Sequence, residues 1–102
     1  MSDTITIPDD LIALQRAAEA VRAELDQYVA TVSAERREQY PGPEQVVERQ
    51  HWPDELNAEL NRLRATWAAA TEAVRHHPVM VAALAEGRWH GTLTALRAAA
   101  RS

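Results

Sequence analysis

The four histidines, His51, His76, His77 and His90, and the acids spaced from them are the side chains best suited to chemistry in this chain. Glu72 precedes His76 by four positions and Glu86 precedes His90 by four. Residues four apart share a helix face, so each pair could offer a carboxylate and an imidazole to one metal ion, and a two-fold dimer could double the set. Helical zinc and di-iron sites carry denser signatures, however. The Glu-x-x-His spacing of carboxylate bundles is absent, and Gly87 parts Glu86 from the following segment. Glu72 with His76 is more cheaply a surface pair near a helix C-terminus, where the macrodipole favours a protonated imidazole. Metal binding at Glu72, His76, Glu86 and His90 is therefore a third reading, and no cofactor is expected.

Other catalytic types have less to build on. The chain has no Cys and every basic side chain is Arg, which removes thiol chemistry, thiolate metal sites and a lysine Schiff base. Its serines are Ser2, Ser33 and Ser102, without nucleophile-elbow glycines, and three Gly in all leave no phosphate-cradling loop. The expectation is a protein that is not an enzyme.

Arg88, Trp89, His90, Arg97 and Arg101 fall close together after a short helix, an outline like a helix-turn-helix. A DNA-associated regulator using Arg88, Arg97 and Arg101 is accordingly the alternative function. Against it, the net charge is −4, and the segment has few long polar side chains to reach base edges. Residues 1–59 hold 5 Arg against 13 acids and residues 60–102 hold 6 Arg against 2. That split predicts internal or subunit-to-subunit charge pairing in preference to an anion-seeking tail.

These residues need elements to position them, and the periodicity supplies helices. Leu11, Leu14, Ala18, Val21, Leu25, Tyr28 and Val32 alternate in steps of three and four, one stripe of a helix. The prolines and glycine of YPGP at 40–43 end it. The stripe resumes at Leu56, Leu60, Leu63, Trp67, Ala70 and Val74, with His77 next in the seam, until Pro78.

An all-α fold follows: a small bundle on two long antiparallel amphipathic helices at about 8–40 and 53–77. Short helices are expected at about 44–50, 78–86 and 89–101, the last with Thr92 as a candidate N-cap. Residues 1–102 read as one domain with one core, and 1–7, with its TITI, as a flexible or extended arm. IPDDL at 7–11, WPDEL at 52–56 and HHPVM at 76–80 read as helix starts, each with proline in the first turn and Thr6 capping the first.

The length, the long first helix and the turn at Tyr40-Pro41-Gly42 are similar to those of the small secreted WxG hairpin proteins, in which Trp stands where this chain has Tyr40. Pro53 and Pro78 interrupt the second helix of such a hairpin, and the family's C-terminal tyrosine-containing signal is lacking, so membership is not assigned.

A helix over 8–40 would measure about 45–50 Å, well beyond the ~13 Å radius of gyration of a compact 100-residue domain. Part of its seam would then need cover from a second copy, so a homodimer is expected. The function read from this is a non-catalytic, cytoplasmic interaction or assembly module that binds an unknown protein partner through exposed helix faces. Nucleic acid is a less favoured partner, and a membrane is excluded by the lack of 18 uninterrupted apolar residues. The candidate contact residues are Ile12, Val29, Tyr40, His51, Trp52 and Met80.

Overall fold

A computed structural model describes residues 5–102, and among them every regular element is helical. In chain order they are α1 (Asp9–Gln39), a 3-10 turn (Pro43–Gln45), α2 (Val46–Gln50), α3 (Asp54–Arg75), α4 (Pro78–Ala85) and α5 (Trp89–Ala100). The expected segments all form, but 44–50 divides into the 3-10 turn and α2, and the second long helix stops at Arg75, leaving His76 and His77 in the turn before Pro78.

The three proline starts are not equivalent. Pro8 O accepts the first helical bond from Ile12 N (3.1 Å), and Pro53 O accepts from Asn57 N (3.1 Å). In α4 the acceptor is His77 O, with Val81 N as donor at 3.0 Å. Proline thus occupies the capping position of α1 and α3 but the first helical position of α4, and its missing N–H is harmless in either place. The expected Thr6 cap does not form; Asp10 Oδ1 takes the Leu11 N–H instead, at 2.9 Å.

Gly87 (φ 71°) provides the stop for α4. Arg88 N reaches back to Ala83 O (2.7 Å) and Gly87 N to Leu84 O (3.3 Å), the paired bonds of a Schellman closure. That closure delivers the chain directly into α5 at Trp89. Thr92 is therefore a buried residue of the second half-turn and not the N-cap, a place taken by Arg88.

Close contacts gather the chain into two compact units, and α1 and α3 contribute to both. The first comprises the chain up to Ala20 with Ala68–Ser102, and the second is Val21–Trp67. In the first, Leu11, Ala18, Val74, Met80 and Leu96 form a buried cluster, with Ile7, Trp89 and Leu93 packed against it. Ile7 of the expected arm is thereby tied down, while residues 1–4 lie outside the described residues.

In the second unit, Leu25, Leu60 and Leu63 form a smaller cluster flanked by Tyr28 and Trp52. Arg22 lies over the Trp67 ring and Tyr28 Oη donates to Leu56 O, so α3 descends as α1 ascends, which makes the pair antiparallel. Two clusters replace the single core that chain length suggests.

Folding also dissolves the charge split. The first unit carries five Arg against six acids and the second six against nine, so neither is basic. Arg101 of α5 comes within 4.0 Å of Glu19 of α1, and Arg16 donates to Ala100 O at 3.1 Å, joining the chain's late basic segment to its early acidic one.

Candidate functional site

Glu72 and His76 meet, with His76 Nε2 3.1 Å from Glu72 Oε2, but Glu72 also receives Arg75 Nη1 at 3.0 Å. The pair is part of an exposed triad near the end of α3. Glu86 is engaged by Arg88 and not by His90, which is exposed on α5. Among the described residues no three of His, Asp and Glu gather around a point that could hold a metal ion.

Of the residues named for nucleic acid, Arg88 pairs with Glu86 and Arg101 approaches Glu19. Arg97 is exposed in the last turn of α5, where it complements the helix dipole.

The proposed contact residues divide sharply. Met80 is 0% exposed at the centre of the first cluster, so it is a core residue and not a contact. In an eight-residue helix apolar on every side, periodicity does not say which face turns inward. Met80 and Ala83, three apart, face the core, whereas Val81 and Leu84 are 53% and 65% exposed. Ile12 is half-buried against the same cluster, and Val29 is exposed.

The other three lie around the turn between α1 and α3. Tyr40 is stacked under Arg36, whose guanidinium carbon is 4.8 Å from the ring centroid. His51 has an exposed side chain but lends its carbonyl to Arg36. Trp52 is half-buried, meeting Tyr28 edge-on with ring centroids 6.2 Å apart and planes at 77°. It packs as part of the second cluster while keeping one side open to a groove.

Two arrangements escape a linear reading. The first is His77, whose side chain is 11% exposed. Its Nδ1 accepts from Val79 N at 3.1 Å, capping α4, so the ring proton of the neutral imidazole sits on Nε2 and is donated to Asp10 Oδ2 at 3.0 Å. The hydrogen bond from His77 holds the Asp10 carboxyl below its ordinary range, outweighing the slight desolvation that would raise it. With both nitrogens occupied, this imidazole is a clasp between two helix starts, not a free base or a metal ligand. Its sequence signal was the continuation of the α3 seam onto His77.

The second is the pair Arg36 and Arg49. Arg36 is 9% exposed, and its Nη2 donates to Glu48 O (2.7 Å) and His51 O (2.5 Å) while its Nε is buried without a partner. Arg49 Nη1 donates to Tyr40 O and Gly42 O, both at 2.7 Å. Here too a signal existed, since Arg36 is the next seam position after Val32. The spacing marked it for burial, although Arg is seldom expected there.

Concave surfaces adjoin both regions. In the first unit a cavity of about 720 Å³ is lined by Ile5, Thr6, Val79, Ala82, Gly87, Arg88, Gly91 and the buried Thr92. In the second, a groove of about 340 Å³ is lined by Ser33, Arg37, Arg49, Gln50 and Trp52. No described helix is long and apolar enough to cross a membrane. No protein-family model matches the chain, nor does any curated protein or solved structure.

Proposed function

We propose that the protein is a non-catalytic interaction module that pairs with a second copy of itself through the outward face of α4. One observation carries the reading: Val81 and Leu84, 53% and 65% exposed, project side by side from a helix whose adjoining face, Met80 and Ala83, is fixed in the core. Large apolar side chains three apart on a rigid helix form a contact stripe whose burial gains about 25 cal/mol per Å² removed from water.

The occupant is a second copy because PVMVAALA contains no charged side chain. Two such helices can pair antiparallel with no like charges opposed, although each chain carries −4. Ala82 and Ala85 beside the stripe let the axes approach toward the short end of the 8–10 Å range. We take the module to work in the cytoplasm, and fractionation of the host cell tests that assignment.

Sedimentation equilibrium at micromolar concentration tests the pairing. The native chain should sediment as a dimer and Leu84→Glu as a monomer of unchanged helicity by circular dichroism. A monomeric native chain, or a Leu84→Glu variant that still dimerises, would refute the reading.

A further inference from the structure

Arg36, Arg37 and Arg49 all lie at the junction of α1 and α2, and among the described residues none of them forms an ion pair. Arg36 is buried against carbonyl oxygens and Gln39 Oε1 with no carboxylate partner, whereas buried charges are ordinarily matched by a counter-charge. Glu35, Glu38, Glu44 and Glu48 lie in the same stretch, so the junction is not basic overall; what sets the three guanidinium groups apart is that none of these acids pairs with them.

The groove beside it is built from donors. Ser33, Arg37, Arg49, Gln50 and Trp52 each carry a side-chain O–H or N–H, and none carries a carboxylate. Arg49 is held in place by its bonds to Tyr40 O and Gly42 O through Nη1, which leaves Nε and Nη2 without a partner among the described residues. The Arg37 side chain makes no hydrogen bond or ion pair among the described residues, and with Arg49 it also borders a second groove of about 360 Å³ beside Pro41 and Pro43. A guanidinium already fixed by the fold loses little freedom on binding, and its planar fork matches a carboxylate or phosphate. Trp52, oriented by its edge contact with Tyr28, adds one apolar wall.

We propose that this groove binds the oxyanion of a small organic ligand, a carboxylate or phosphate monoester, between Arg37 and Arg49, with a flat apolar part of the ligand against Trp52. Its volume of about 340 Å³ is at the lower end of ligand pockets, which run from about 300 to 1,000 Å³. The buried charge of Arg36, bonded to the carbonyls flanking Arg49 and Gln50, strengthens the field without touching the ligand. All of these residues belong to the second unit and α4 to the first, so the site stands or falls separately from the proposed dimer.

The test is a proton–nitrogen correlation titration of the full chain with phenyl phosphate, with benzoate and with neutral benzyl alcohol, at ionic strength held constant with sodium chloride. The Trp52 indole signal is identified by its loss in Trp52→Phe. It should shift saturably with at least one anion, with a dissociation constant of about 1 mM or tighter, and stay still with benzyl alcohol; the tighter anion names the preferred group. Arg37→Gln, which removes no internal bond, should bind about tenfold more weakly or worse, while Leu84→Glu should bind as the native chain does. An indole signal unmoved by both anions, equal shifts with benzyl alcohol, or native affinity in Arg37→Gln would each overturn the proposal.

Discussion

The two units of the chain solve the same packing problem with different materials. Around Leu11, Met80 and Leu96, all 0% exposed, four helices converge, and the buried surface is nearly all hydrocarbon. Around Leu25, Leu60 and Leu63 there are two long helices and, from the short segment between them, Trp52, and no residue of that cluster is fully buried. There the aliphatic stem of Arg36 occupies a seam position, and its head and that of Arg49 tie down carbonyls of the 39–52 turn. Where a third and fourth helix cover the pair, apolar side chains suffice; where only a short segment covers it, long polar side chains both fill space and satisfy exposed backbone. The difference shows that a single amphipathic stripe can serve two kinds of interior.

The contrast is most directly broken at Met80. Met80→Ala should cost about 2–5 kcal/mol in denaturant unfolding, with amide exchange protection falling most in α4 and α5; an equal fall in α2 would show that the two units share one cooperative interior. Arg36→Met keeps the stem and removes the head, leaving Glu48 O and His51 O without their donor. A loss of about 2–3 kcal/mol, concentrated in α2 and the end of α1, is expected, and a neutral result would mean that the arginine acts only as filler.

Asp10→Asn gives the smallest effect and probes a polar clasp of the apolar unit. Because the folded-state pKa of Asp10 is depressed, its contribution is present above the ordinary carboxylate value and is lost as pH falls through the lower folded value. The variant should melt below the native chain at pH about 7, with the gap closing in acid once the pH falls below the ordinary carboxylate value of about 4. A gap that persists in acid would assign the effect to something other than the charge.

Much of this was legible along the chain. The steps of three and four from Leu11 to Val32 and from Leu56 to Val74 gave both long helices, the prolines placed their ends to within a residue or two, and Gly87 placed the end of α4. What escaped was orientation around short helices and the use of polar groups. Met80 and Val81 are both apolar neighbours in a helix with no polar face, so nothing local could tell the buried one from the exposed one. The candidate groove was equally hidden, because Ser33 and Arg37 on α1 reach the same hollow as Arg49, Gln50 and Trp52 only after the turn at Pro41 has folded back.

The sequence by itself determined that the chain is helical, where its helices start and stop, and which stripe of each long one is apolar. Those properties depend on hydrogen bonds and side-chain spacing within a few residues. Only the tertiary structure decided that Asp10 caps against His77, that Arg36 is buried, that early acids sit beside late arginines, and that Val81 and Leu84 face outward. Each of these joins or separates positions by what else packs against them, and that is a property of the assembled helices, not of any one of them.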